Sequence, residues 1–220
     1  MGSITRSFAN NIGSSGILTA SAVTNATVED VTSFDSAGSP ATLVLLSTQT
    51  ASASANISFT TGLDSTYDEY IFKFINIHPA TDAQGFEFNL STDSGSSYNV
   101  TKTSTFFRAY HSEGGTSSFA YDAGGDLAQS TAFQIINANV GNDNDQAVSG
   151  SLTLYNPSST TFVKHFISRS LSGSAHIDLA IDSFAAGYGN TTSAVNAIQF
   201  KFGSGNIDDG IIKLYGVKKS

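Results

Sequence analysis

Two short segments between Tyr67 and Tyr98 constrain this chain more than any other stretch. Across 86–92, Phe86, Phe88 and Leu90 fall on one side of an extended backbone, and Glu87, Asn89 and Ser91 fall on the other. That is the period-two alternation of a half-buried β-strand. Across 69–77, Tyr70, Phe72 and Phe74 share one face, while Ile71, Ile75 and Ile77 share the opposite face, interrupted only by Lys73. A strand that is apolar on both faces belongs in the middle of a sheet covered on both sides. Such a strand seeds a sandwich core.

The rest of the chain repeats the theme. From residue 42 onward, strand-like segments recur with turn residues between them, at 42–47, 55–60, 103–110, 117–121, 131–139 and 148–155. Others follow at 162–168, 177–181, 184–188, 197–202 and 210–217. Gly62-Leu63-Asp64-Ser65, Glu113-Gly114-Gly115 and Asn156-Pro157-Ser158-Ser159 punctuate them as turns. Charged residues make up 13% of the chain, about half the usual share of roughly 25%. Ser, Thr, Asn and Gly stand in their place, which suits strands and turns better than helices. The pattern predicts an all-β fold, a β-sandwich or jelly-roll-like domain over 41–220. No repeat of some 40 residues marks the chain as a propeller.

Residues 1–40 differ. Their only charges are Arg6, Glu29, Asp30 and Asp35, and no alternation runs through them. Thr19 is placed to cap a short helix over 20–32. Ile4, Phe8, Ile12, Leu18, Val23 and Val28 are too sparse to close a core and too numerous for a plain linker. The expectation is an extended N-terminal arm for attachment or oligomerisation, with a floppy leader as the plainer alternative. No apolar run follows Arg6, so neither a signal peptide nor a membrane span is predicted. Cysteine is absent, which excludes a disulfide framework and a thiolate site.

The formal net charge is −8, and the only basic cluster is Lys218-Lys219. Nucleic-acid binding is therefore not expected. Ser91-Thr92-Asp93-Ser94-Gly95-Ser96-Ser97-Tyr98 fits the Asp-box pattern, whose Asp accepts turn N–H groups and whose Gly takes a positive φ. It reads as a structural staple. Asn142-Asp143-Asn144-Asp145 offers oxygens that a Ca²⁺ ion takes, but it lacks the Gly and distal Glu of an EF-hand loop. Asp208-Asp209-Gly210 reads as a turn. His78, His111, His165 and His176 have no metal-ligand spacing, and His165 reads as a half-buried strand residue. No nucleophile elbow, P-loop or dinucleotide fingerprint occurs. A carboxylate pair for glycoside hydrolysis depends on spacing in three dimensions and stays open. The reading assigns no catalytic, cofactor-binding or metal-binding residue. Phe106, Phe107, Tyr110, Phe119 and Tyr121 lie near Gly-rich turns, where exposed rings stack on sugars and buried ones fill a core.

Several stretches carry a family resemblance. They are Ser3-Ile4-Thr5-Arg6-Ser7-Phe8-Ala9-Asn10-Asn11-Ile12, Leu45-Leu46-Ser47-Thr48-Gln49-Thr50-Ala51-Ser52-Ala53 and Leu63-Asp64-Ser65-Thr66-Tyr67-Asp68-Glu69-Tyr70. Ser158-Ser159-Thr160-Thr161-Phe162-Val163-Lys164-His165-Phe166, Gly205-Asn206-Ile207-Asp208 and Gly210-Ile211-Ile212-Lys213-Leu214-Tyr215-Gly216-Val217 complete the set. Over nearly its whole length the chain resembles structural virion proteins of tailed bacteriophages of marine bacteria, of the tail-fibre, appendage or head-decoration type. The resemblance implies a virion location, no catalytic residues, and other virion proteins of capsid or tail as partners. With only 13% charged residues the sheet edges carry few of the charges that guard against pairing, so a homo-oligomer is expected, with a trimer favoured. The alternative function is a glycan-binding host-recognition module, with a host surface glycan as its partner.

Overall fold

The computed structural model describes residues 43–174 and 179–218. The arm expected over 1–40, its helix, and His176 lie outside the described residues. Twelve strands follow in chain order: β1 (Leu43–Ser54), β2 (Ile57–Phe59), β3 (Glu69–Pro79), β4 (Gln84–Ser91), β5 (Lys102–Ser112), β6 (Ser117–Tyr121), β7 (Gln134–Val140), β8 (Val148–Tyr155), β9 (Lys164–Gly173), β10 (Leu179–Gly189), β11 (Ala197–Phe202) and β12 (Ile207–Val217). The described residues contain no helix. All pairings are antiparallel, in an eight-stranded sheet β1-β12-β3-β8-β9-β10-β5-β6 and a four-stranded sheet β2-β11-β4-β7.

The two orders resolve into a jelly roll with an extension. β1-β12-β3-β8 faces β2-β11-β4-β7, and the chain crosses between layers at β1 to β2, β2 to β3, β3 to β4, β7 to β8 and β11 to β12, and again on entering and leaving β5–β6 and on passing from β10 to β11. This is the interleaving of two Greek keys. The remaining strands arrive as two inserted pairs, β5–β6 between β4 and β7, and β9–β10 between β8 and β11. They widen the first sheet on one side only. Loop residues cover the inner face of β5: Leu127 and Ser104 exchange hydrogen bonds, and Gly125 lies so close to the Phe106 ring that a Cβ there would stand 2.3 Å from it.

The core is aromatic. Phe72 and Phe74 from the large sheet meet Phe59, Phe86 and Phe200 from the small one, and Phe166 of the large sheet meets Phe88, all at most 3% exposed. The alternation of β4 holds, with Phe86, Phe88 and Leu90 all inward. β3 departs from expectation. Only Tyr70, Phe72, Phe74 and Ile77 point into the core, while Ile75 is 39% exposed and Ile71 half-buried on the outer face. No second layer covers that face among the described residues. β3 and β4 also do not pair with each other; they lie in opposite layers.

A bulge explains how Ile77 changes side. Ile75 and Asn76 together oppose Ser149 of β8, Asn76 has φ of 49°, and its N–H donates to Ser149 Oγ at 3.1 Å. The extra residue restores inward pointing at Ile77. On the other flank Gly210 takes φ of 126°, and a Cβ there would stand 2.6 Å from the Asn76 carbonyl oxygen. Gly210→Ala therefore combines a backbone region closed to L-residues with a clash against main chain. It is expected to destabilise the fold by at least about 1–3 kcal/mol, read from the shift in denaturant midpoint; a change within experimental error contradicts this account of the bulge.

Two further expectations are corrected. Segments 184–188 and the described part of 177–181 belong to one strand, β10, because Asp182 and Ser183 do not form a turn. Asp182 points outward to Arg169, and Ser183 is small enough to be fully buried. In β9, Lys164, Phe166, Ser168, Ser170 and Ser172 point inward and His165 is exposed, so His165 is not a half-buried strand residue. The inward serines are satisfied by polar partners: Ser170 Oγ donates to the Ile136 carbonyl at 2.7 Å and Ser172 Oγ to Asn137 Oδ1 at 2.7 Å.

Candidate functional site

The most unusual surface is the outer face of the eight-stranded sheet. Its register places Leu45, Tyr215, Ile71, Thr153, Ile167 and Ala186 in one row across six strands. Four positions further along the strands come Ile211 and Ile75, then, beyond the bulge, Leu171, Asp182, Ala109 and Phe119. Ile167 is 54% exposed, Leu171 53% and Phe119 71%. Single exposed apolar residues need no explanation, but a contiguous face of them marks an interaction surface.

Between these rows runs a third. Lys213 stands opposite Lys73, Lys73 opposite Ser151, and Ser151 opposite Arg169. Phe184, Phe107 and Tyr121 continue it to the sheet edge. Phe107 and Phe184 stack with centroids 4.8 Å apart and planes 11° apart. The Arg169 guanidinium lies 4.9 Å from the Phe184 centroid and pairs with Asp182 at 2.7 Å, which holds its pKa up. Phe119 meets Phe107 edge-on at 5.6 Å. The faces of Phe107 and Phe184 are thus occupied by neighbours, and the pair forms a ridge rather than a flat platform.

The five aromatics singled out in the sequence therefore separate. Phe106 is core, Phe107 belongs to the ridge, and Tyr110 is half-buried; Phe119 and Tyr121, on the edge strand β6, are exposed. The Tyr121 hydroxyl is anchored by Asp126.

At one end of the face a cleft of about 540 Å³ opens among the ends of β5, β8, β9 and β10. His111, Glu113, Asp145, Gln146 and Leu171 line it. Glu113 and Asp145 are both exposed. They lack the apolar enclosure that prepares a carboxylic acid for general-acid work on a glycoside.

Asp208-Asp209-Gly210, read as a turn, instead lies inside β12, where Asp209 and Gly210 pair with Ser52 and Ala51 of β1. The Asp-box and the 142–145 loop are turn chemistry. Asp93 Oδ1 accepts from Ser91 Oγ at 2.6 Å and from the Ser97 N–H at 2.9 Å; the Ser91 hydroxyl, then the Ser97 backbone, hold the Asp93 carboxyl below its usual range. Gly95 has φ of 89° with the Tyr98 ring against it. The 142–145 loop closes through the Gln146 N–H to the Asp143 carbonyl at 2.8 Å, and His78 Nε2 donates to that same carbonyl at 3.2 Å. Among the described residues no cluster of three or more His, Cys, Asp or Glu side chains suits a metal ion.

Two buried lysines escaped sequence reasoning. Lys102 and Lys164 are fully buried and flank Gly189 in the register of β5, β10 and β9. Lys102 Nζ donates to Asn89 Oδ1 at 2.5 Å and the Val100 carbonyl at 2.8 Å, and burial pushes its pKa down to about 7. Lys164 Nζ donates to the Ser159 and Phe162 carbonyls, both at 2.6 Å, and burial lowers its pKa as well. Each ties a loop to the sandwich; neither opens onto the outer face.

Comparison of the chain with protein-family models, curated proteins and solved structures finds no match.

Proposed function

We propose that the chain is a non-enzymatic structural component of a tailed-phage virion, a fibre, appendage or capsid-decoration protein. In this reading residues 1–40 anchor it to other virion proteins and the jelly roll is displayed as a homo-oligomer, with a trimer favoured. The observation that carries the reading is the wide apolar outer face of the large sheet, a surface suited to assembly, on a sandwich whose core is complete without it. The sequence resemblance gives the particle; jelly rolls are also common in viral capsid and lectin domains, which is analogy at the level of fold only.

A second reading, a host-recognition module that binds surface glycan, rests on Phe119 and Tyr121, whose rings stand in solvent on the edge strand β6. A fibre tip can serve both ends.

The test is incorporation. Full-length chain is expected in virions purified from the source phage, and a chain lacking residues 1–40 is expected to fold yet be missing from them. Unfolding of the shortened chain would put the arm inside the core. Absence of the full-length chain from virions would overturn the reading.

A further inference from the structure

We infer that the outer face of the eight-stranded sheet is the seat of a neighbouring copy of the same chain, which docks with its own acidic surface in a head-to-tail contact that closes into a ring. The inference rests on the homo-oligomer reading above and adds the surface, the geometry and the sign of the complementarity.

Size comes first. Eight strands span roughly 34 Å at about 4.8 Å each, and the rows extend roughly 20 Å along the strands. That is on the order of 700 Å² before side-chain relief, close to the ~800 Å² per partner of a stable protein interface. A short oligosaccharide covers only part of it.

Charge selects the partner. Lys73 and Lys213 lie directly opposite each other on β3 and β12, and neither belongs to an ion pair among the described residues. Like charges in that position repel across the strands. The other cation on the face, Arg169, is already held by Asp182. An acidic group supplied from outside relieves the lysine pair. The chain itself is a source, with 18 acidic residues against 10 basic ones. These include exposed Asp208 and Asp209 at the start of β12.

Symmetry follows from the same pair. Two copies packed face to face about a two-fold axis would oppose one basic apolar face with another. A head-to-tail contact instead seats the basic face on a different, acidic surface of the next copy. Such contacts close into rings when the rotation allows. Arg and aromatic side chains at the centre of the face are the residue types that dominate interface energies.

The experiment is light scattering on the full-length chain at micromolar concentration, with circular dichroism on every variant. Wild-type protein is expected as a closed oligomer. Ile167→Glu with Leu171→Glu, at exposed positions, is expected to lower the mass to that of the single chain, 22.9 kDa, with the strand signal intact. Lys73→Glu alone is expected to weaken the oligomer at least about tenfold, corresponding to ~1.4 kcal/mol, and it keeps the test open if the double variant fails to fold. An oligomer unmoved by all three changes overturns this face while leaving the homo-oligomer reading standing. A monomeric wild type overturns both, and a monomer whose face residues govern retention on an acidic polysaccharide reassigns the face to glycan.

Discussion

Replacing Phe200 by alanine is expected to cost about 3–5 kcal/mol of folding stability. Phe200 sits on β11 with no solvent exposure, 5.3 Å from the centroids of both Phe72 and Phe74 in the opposite sheet. On its own sheet it meets Phe86 at 6.0 Å, and Phe59 and Phe88 both at 6.3 Å. Among the described residues no other ring joins as many neighbours in both layers, so its removal opens a cavity where the two sheets are clamped together. The walls are rings on rigid strands, which collapse poorly into the gap. For a domain of this size, that loss corresponds to a melting temperature lower by roughly 6–20 °C. Phe162→Ala is the control, since Phe162 is 67% exposed and its truncation is expected to stay within about 0.5 kcal/mol. Equal effects of the two changes would mean that the aromatic cluster does not hold the layers together.

Raising the pH from 7 to 9.5 is expected to stabilise the sandwich by about 2–3 kcal/mol, an order-of-magnitude figure taken from the Lys102 shift. Lys102 titrates near 7 in the fold because burial, without any carboxylate partner, disfavours its charged form. In the unfolded chain the same amine titrates near its ordinary value of about 10.4. Between those two values the unfolded chain binds more protons than the folded one, so stability rises with pH. Below pH 7 both states are protonated and the cost of burying the ammonium is present in full. Lys164, also lowered, adds in the same direction. Above about pH 10 the buried Tyr70 hydroxyl, raised by desolvation, begins to work the other way, so the window closes there. Denaturant midpoints at the two pH values measure the slope. Lys102→Met is expected to remove most of it and to raise stability at pH 7, because Asn89 Oδ1 keeps the Leu90 N–H at 2.9 Å. A flat profile for the parent chain would mean that Lys102 is solvated.

Much of the fold was legible from alternation alone, and what was lost has physical causes. The segments 117–121, 148–155 and 197–202 coincide with β6, β8 and β11, where short runs end at Asp122, Asn156 and Gly203. Partner choice was not legible: β3 lies between β12 and β8, far away in sequence, and local polarity carries no information about it. The apolar outer side of β3 was misread because Ile71 and Ile75 look the same whether a second layer of the same chain covers them or the surface of another molecule does. Inward serines of β9 were invisible because their polarity is answered by Asn137 and a carbonyl, which only the folded register brings near. Lys164 left a trace, a lysine alternating with Phe162 and Phe166, but a lone basic residue in a strand ordinarily reads as the solvent side. Of the candidate site, Phe119 and Tyr121 were marked in advance. The lysine pair was not, because Lys73 and Lys213 become neighbours only through the β3–β12 register.

The most direct test of the account is cryo-microscopy of intact virions at a resolution that shows side chains. It is expected to place the chain on the particle as a closed ring of copies, with Ile167 and Leu171 covered and Lys73 and Lys213 against acidic side chains of the next copy. Virions without the chain, or copies standing apart with this face in water, would contradict it.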